Sequence, residues 1–304
     1  MTANTSTPSA IRAATRVALV TCGALPDLDP DDRLVLTPLA GLGITATPAV
    51  WDDPAVDWSA FDLVVLRSPW DYAPRRAEFL EWAGRVPRLA NPAGVVRWNT
   101  DKRYLDELRD AGAPVVPTEF VEPDDGWEPA AEGEIVIKPA VGAGSVDTGR
   151  YDLADGGQRA LAVAQVRRLQ AAGRAVMVQP YLDAVDSHGE TALLWTGGRY
   201  SHAIRKGPLL IGPDEGVEGL YREEEISARE PSAAEREIAE KVVAAMPFDV
   251  ADLLYVRVDL IPGPDGTPVL LELELTEPSL FLGTDPGAAD RFAAAIARLA
   301  GKTQ

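Results

Sequence analysis

Two short segments near the C-terminal end of the chain, YVRVDLI from Tyr255 and PVLLELEL from Pro268, hold an unusual set of charges. Side chains of a strand alternate between its faces, so Arg257 and Asp259 share one face, opposite Val256, Val258 and Leu260. By the same rule Glu272 and Glu274 share a face, opposite Leu271, Leu273 and Leu275. The segments flank the turn-rich stretch from Pro262 to Thr267 and read as a hairpin. If both apolar faces meet the core, the charged faces coincide and gather three carboxylates beside one Arg. Asp and Glu are poor strand formers, and like charges opposed across a sheet destabilise it. A compensating cation is expected, and hard oxygen donors of this kind suit Mg²⁺, which also accepts phosphate oxygens and water. The alternative is a solvated strand face with an incidental Arg–carboxylate pair.

A second group lies at Lys138, the end of the strand EIVIK, followed by PAVGAGSVDTG. Gly142, Gly144 and Gly149 free the backbone to turn its N–H groups toward phosphate, and Ser145 adds a hydroxyl. The Lys precedes the glycines, so this is not the GxxxxGK[ST] loop. Alone, it reads equally as a glycine-rich hairpin. Further along, VMVQPYLD runs from a strand into a hinge. Backbone groups at Pro180, Tyr181 and Leu182 suit the edge of a base, and a carboxylate nearby suits a ribose; Glu190 is the first candidate and Asp183 the second. Arg205 and Lys206 place two cations at a strand end. Arg67, Ser68, Trp70, Asp71 and Tyr72 follow the strand FDLVVLR, where ligands of parallel α/β sheets gather. There Arg67 suits a carboxylate and Asp71 an ammonium group, with Trp70 and Tyr72 as walls. The competing reading is a structural corner.

The elements that must position these residues divide into two textures. Arg16–Cys22, Ile44–Val50 and Phe61–Arg67 read as strands, with helices over Leu34–Leu42 and Arg75–Arg85, which implies a parallel α/β unit over about 16–98. Residues 1–15 read as a loose tail. Thr100 is expected to cap a helix running to Gly112, with Asp101 in its first turn. Glu122–Gly133 reads as a loop. From there short strands dominate: Glu134–Lys138, Val176–Leu182, then Thr191–Thr196 and Tyr200–Lys206 joined at Gly197-Gly198. A central unit over 99–183 and a C-terminal unit over 184–304 follow. The polar loop Gly212–Glu225 has the composition of a lid.

The chain has 304 residues, a net charge of −18 and 46% apolar content. That charge argues against a nucleic-acid surface and requires any phosphate ligand to meet local cations or a divalent metal. No apolar run approaches a membrane span, and residues 1–15 lack the pattern of a secretory signal. Cys22 is the single cysteine, so no internal disulfide is possible and a cytoplasmic location fits. His188 and His202 are the only imidazoles and neither lies near Cys22 in sequence, so Ser or Cys nucleophile chemistry has little support.

Taken together, Lys102 ahead of a helix, the strand–Lys–Pro–glycine loop, the strand and hinge, and RxD with ExE on a terminal hairpin resemble the ATP-grasp superfamily. The likeness runs from about Thr100 to Leu282 and is greatest to glutathione synthetase and D-alanine–D-alanine ligase. It implies an α/β fold whose two α+β subdomains clasp ATP behind an N-terminal α/β domain. By position, it implies Lys102 and Lys138 on the α- and β-phosphates, Gly142, Gly144 and Ser145 over the γ-phosphate, and Gln179, Pro180, Tyr181 and Leu182 at adenine, with Glu190 on the ribose and Asp183 as the second candidate there. Asp259, Glu272 and Glu274 would ligate two Mg²⁺ ions, for which Mn²⁺ can substitute. Arg257, with Lys206 and Arg205, would stabilise negative charge during reaction. Many relatives have Asn where this chain has Glu274, which adds negative charge beside the phosphates. The motifs VVLRSPWDY, WDDPAVDW and TEPSLFLG resemble a small ATP-grasp subgroup that includes a cycloserine-forming O-ureido-serine cyclo-ligase. That resemblance implies a small amino-acid-like substrate met by the Arg67–Tyr72 cluster together with Glu277 and Ser279. An amine-joining peptide-type ligase, a kinase that stops at phosphoryl transfer, a non-catalytic scaffold and a homo-oligomer remain open.

Overall fold

The computed structural model describes residues 14–216, 219–222 and 224–301. The first unit opens with β1 (Thr15–Thr21), α1 (Leu36–Gly41), β2 (Ile44–Val50), β3 (Leu63–Ser68), α2 (Arg76–Arg85) and β4 (Leu89–Ala90). Its four strands form a parallel sheet in the order β2-β1-β3-β4. Thr15, expected in the tail, is the first residue of β1; most of the tail lies outside the described residues. β1 and β3 are apolar on both faces because helices or further chain cover both. On one side Ala18, Val20, Val64 and Leu66 pack with Phe79, Trp82 and Trp51.

Two helices follow, α3 (Ala93–Asn99) and α4 (Tyr104–Asp110). The structure corrects the expectation for Thr100. It stands at the C-terminal end of α3 with φ −72° and ψ −3°, not in the extended conformation of an N-cap. Its hydroxyl instead accepts a hydrogen bond from Arg76 Nε at 2.8 Å.

β5 (Glu119–Val121), β6 (Glu134–Pro139), β7 (Gly149–Asp152) and β8 (Val176–Pro180) make an antiparallel sheet in the order β5-β8-β6-β7. The helix α5 (Gly156–Ala171) covers one face, where Ile137, Val178, Val166 and Leu169 meet. Beyond it come α6 (Val185–His188), β9 (Glu190–Thr196), β10 (Arg199–Lys206), β11 (Ile226–Ala228), α7 (Ala233–Ala245), β12 (Tyr255–Pro262), β13 (Pro268–Glu274) and α8 (Ala288–Gly301). The five strands form a second antiparallel sheet, β11-β10-β9-β12-β13. One face carries Leu193, Ala203, Val256 and Val258 onto α4 and α7. The other face carries Ala192, Leu194, Ile204 and Tyr255 into a core shared with α8 and the parallel sheet. Among the described residues no helix is long and apolar enough to cross a membrane.

Candidate active site

The face of the second sheet that packs under α8 changes character along its strands. Residues two further along are Arg257 and then Asp259 after Tyr255, and Lys206 after Ile204, while Glu190 precedes Ala192. Alternation therefore carries one continuous face from apolar core to charged floor. The hairpin register opposes Arg257 to Glu274 and Asp259 to Glu272, so the charged faces coincide as the sequence pattern requires. A bulge after Asp259 then shifts the register, pairing Leu260 with Leu270. The structure thus corrects the placement of Leu271. Leu270 takes the core position beside Leu273 and Leu275, and Leu271 turns to the cavity side with Ile261.

The opposing wall is the first antiparallel sheet. Ile137 and Val178 face α5, so their neighbours Val136, Lys138 and Gln179 face the charged floor. Between the two sheets lies a cavity of about 460 Å³. The predicted residues Lys102, Lys138, Gly142, Gly144, Ser145, Gln179, Pro180, Tyr181, Leu182, Glu190 and Lys206 line it. So do Trp70, Tyr72, Arg257, Asp259, Glu272, Glu274, Glu277 and Ser279.

The charges on the floor interlock. Arg257 grips Asp259, with Nε 2.9 Å from Oδ1 and Nη2 2.8 Å from Oδ2, while Nη2 also pairs with Glu274 and Nη1 donates to the Ser279 carbonyl at 3.1 Å. Lys206 Nζ lies 2.7 Å from Asp259 and 3.7 Å from Glu190. Lys102 Nζ lies 3.0 Å from Glu272 and donates to the Gly142 carbonyl at 2.9 Å. Lys138 has no hydrogen-bond partner among the described residues, and burial together with Lys102 and Lys206 lowers its pKa. Although burial pushes the other way, the charges of Arg257 and then Lys206 hold Asp259 down at about 2. Burial raises Glu190 to about 7, against the pull of Lys206. Burial also raises Glu274 to about 8, because Glu272 and Asp259 beside it offset part of what Arg257 contributes.

Among the described residues no three carboxylate, imidazole or thiol groups converge as a ready metal site. Each of Asp259, Glu272 and Glu274 instead contacts a cation of the chain. The donor set nonetheless fits a hard divalent ion: three carboxylates, all oxygen donors, share one floor of the cavity, with Asp259 opposed to Glu272 across the hairpin.

The glycine loop is closed over by the segment after β10. Gly144 has φ +61°, and a Cβ there would lie 2.2 Å from the Leu220 carbonyl oxygen, so only glycine admits this approach. The Arg222 N–H donates back to the Gly144 carbonyl at 3.2 Å, and the Tyr221 ring meets Trp70 edge-on at 5.2 Å. The expected lid thus lies on the cavity rim in its described part, and Tyr221, Arg222 and Glu224 line the cavity.

Five predicted site residues are not among those lining the cavity. Arg205 lies on the opposite face of β10 from Lys206, and its Nε donates to the His188 carbonyl at 2.9 Å. Asp183 is exposed at the turn into α6. Arg67 is fully buried, held by Asp32 Oδ1 at 2.9 Å and the Pro278 carbonyl at 2.7 Å. Ser68 is buried against Thr21 at 3.1 Å. Asp71 accepts from Trp51 Nε1 at 2.8 Å and pairs with Arg75 at 2.9 Å. Of the five residues in that cluster, Trp70 and Tyr72 line the cavity, while Arg67, Ser68 and Asp71 are engaged by partners within the chain. Sequence reasoning also missed Asp29, Asp31 and Asn99, which line the cavity. Asn99 donates to the Leu273 carbonyl at 2.7 Å and accepts from the Leu275 N–H at 2.7 Å, pinning the end of β13. No local pattern marks such a contact. His202 bonds the Leu280 carbonyl and His188 faces Glu235, both outside the cavity.

The fold recurs in known proteins. The crystal structure of D-cycloserine synthetase DcsG matches with a TM-score of 0.81 at 40% identity, covering 93% of this chain and 99% of that one. A RimK domain protein ATP-grasp from Sphaerobacter thermophilus matches with a TM-score of 0.63 at 18% identity, over 92% of this chain and 99% of that one. D-alanine–D-alanine ligase from Bacillus anthracis complexed with ATP gives 0.61 at 14%, over 94% and 97%. The fold is that of the ATP-grasp ligases. Residues 17–91 match the family model described as D-cycloserine synthetase DcsG, N-terminal domain. Over 299 residues the chain is 42% identical to cycloserine biosynthesis protein DcsG of Streptomyces lavendulae, spanning 92% of this chain and 97% of that protein. The chain belongs to the DcsG family.

Proposed function

We propose that this chain is an ATP- and magnesium-dependent cyclo-ligase that converts O-ureido-D-serine to D-cycloserine. The observation that carries the proposal is the register that opposes Arg257 to Glu274 and Asp259 to Glu272, facing Lys138 across one cavity, in a chain 42% identical to a cycloserine biosynthesis protein. Asp259, Glu272 and Glu274 would hold the metal, which when bound neutralises phosphate charge and orients the γ-phosphoryl group.

The chain's own residues do the rest by position and charge. Lys138, without a partner of its own, and Lys102 meet the phosphates, and the glycine loop with the segment 219–222 excludes water. The hinge Pro180–Leu182 and the apolar side chains Ile261 and Leu271 receive the base. A substrate carboxylate oxygen attacks the γ-phosphorus, the bridging P–O bond breaks and ADP leaves, giving an acyl phosphate. The ureido group departs with water as carbon dioxide and ammonia. The freed aminooxy nitrogen attacks the acyl carbon, the C–O bond to phosphate breaks, and the nitrogen loses its proton as the five-membered ring closes. Arg257 lies where oxyanion charge builds and stabilises it.

The test is incubation with ATP, Mg²⁺ and either enantiomer of O-ureido-serine, with ADP, phosphate and cycloserine measured together. Stoichiometric ADP, phosphate and D-cycloserine are expected from the D-form. ADP release without a ring product would make the chain a kinase, and a product only with an added amine would make it an intermolecular ligase.

A further inference from the structure

The cavity holds more negative than positive side chains among the described residues, eight carboxylates against five cations, so each carboxylate's partner is informative. Asp259 has Lys206 and Arg257, Glu272 has Lys102, Glu274 has Arg257, and Glu190 faces Lys206. Asp31 accepts the backbone N–H groups of Leu282 and Gly283, and Asp29 accepts that of Asp31. Glu224 lies on the exposed segment beyond Arg222. Glu277 differs from all of these. It lines the cavity and is half-buried, yet among the described residues it has no ion-pair partner. The side chain of Tyr72, which is itself buried, neighbours its carboxylate and lines the same cavity.

The surroundings fix Glu277 firmly. Trp70 Nε1 donates to the Glu277 backbone carbonyl at 3.0 Å, and the Trp70 ring is met edge-on by Tyr221. Tyr72 stacks on Phe79 with ring centroids 4.7 Å apart, so its hydroxyl is held in place from the core. Two residues along the chain, the Ser279 carbonyl receives Arg257. Glu277 therefore lies on the same short segment that touches the residue assigned to the reacting carboxyl group. Burial raises its pKa to about 7, with Lys102 and Arg257 only partly offsetting this, as expected for a carboxylate lacking a cation in contact. A half-buried carboxylate beside a phenol, with aromatic walls and an open cavity side, is complementary to a small organic cation.

We propose that Glu277, oriented by Tyr72 and walled by Trp70 and Tyr221, binds the substrate's α-ammonium group and restricts the enzyme to α-amino acids. This rests on the cyclo-ligase reading above. It assigns to Glu277 the ammonium role that the local sequence gives to Asp71, whose carboxylate is engaged by Trp51 and Arg75.

The experiment compares O-ureido-D-serine with its analogue lacking the α-amino group, 3-(ureidooxy)propanoate, following each cyclic product by mass spectrometry. The wild type should favour the amino substrate in kcat/KM on the order of a hundredfold, the size of a desolvated charge pair. Glu277→Gln should lose most of that preference by weakening only the amino substrate, with the KM for ATP unchanged. Tyr72→Phe should lose part of it. Glu277→Asp, which keeps the charge, should retain more preference than Gln and covers the case in which Gln fails to fold. Equal use of both compounds by the wild type, or full preference retained in Glu277→Gln, would overturn the assignment while leaving the cyclo-ligase standing. Absence of turnover of either compound by folded wild type would refute the cyclo-ligase reading and this assignment with it.

Discussion

Replacing Arg67 by Met separates a scaffold from a substrate contact. The guanidinium is fully buried, 2.9 Å from Asp32 Oδ1 and 2.7 Å from the Pro278 carbonyl, and lies over the rings of Tyr255 and Phe292 at 5.3 Å each. Asp32 Oδ2 has no hydrogen-bond partner among the described residues, so Arg67 supplies the countercharge. Removing it leaves a buried, uncompensated carboxylate, which costs about 3–5 kcal/mol. In a chain of this size each kcal/mol lowers Tm by about 2 °C, so a fall of about 6–10 °C is expected. Neutralising the partner as well, in Asp32→Asn/Arg67→Met, should recover most of the loss because no charge remains buried. Thermal unfolding by circular dichroism measures both, and steady-state kinetics well below the transition measures KM. An unchanged Tm in Arg67→Met with a tenfold or greater rise in KM for the amino-acid substrate would refute the argument and return Arg67 to the substrate site.

Glu272→Gln should cut turnover by at least about a hundredfold, the scale of one lost electrostatic contact in a transition state. It should leave Tm nearly unchanged, because the shape is kept and only the Lys102 pair weakens; wild-type rates at saturating Mg²⁺ would remove Glu272 from the metal set. Lys138→Ala should weaken nucleotide binding about 10- to 100-fold, the equivalent of a charge-assisted hydrogen bond. Because Lys138 has no partner in the free protein, its removal should hold or raise the ligand-free Tm while abolishing most of the stabilisation by Mg²⁺ and ADP, read in a thermal-shift titration. Asp71→Ala should lower stability by about 1–2 kcal/mol through loss of its bonds to Trp51 and Arg75 and leave every KM unchanged; a selective rise in the amino-acid KM would place it at the substrate.

What could be read from the sequence follows from the range over which a pattern acts. Alternation along β12 and β13 is local, so the shared face of Arg257, Asp259, Glu272 and Glu274 was readable, as were the longer strands of all three sheets; the short β4, β5, β7 and β11, of two to four residues each, were not. The bulge after Asp259 is a property of the pair of strands, and it moved Leu271 to the other side. The same two-residue period separates Lys206 from Arg205, yet which of the two faces the site depends on whether Ile204 or Ala203 meets α8, a contact made far along the chain. The helix α7 did carry a local sign, the capping box of Ser232 and Glu235. Helix α5 is Ala-rich and its buried stripe is narrow, so little periodic contrast marks it.

The cluster after β3 shows where local reading stops. Arg67, Trp70, Asp71 and Tyr72 stand together in sequence and look like one recognition motif. In the fold Arg67 takes Asp32, Asp71 takes Trp51 and Arg75, and Tyr72 reaches Glu277, which lies more than two hundred residues away. Residue type and spacing therefore located the strand end but not the assignment of charges there. A charged side chain is free for a ligand only when the fold gives it no partner, and partners are set by tertiary contacts. Lys138 and Glu277 have no ion-pair partner among the described residues of this cavity, one cationic and one anionic. That is the polarity needed to hold a nucleotide's phosphates at one end and an amino acid's ammonium group at the other.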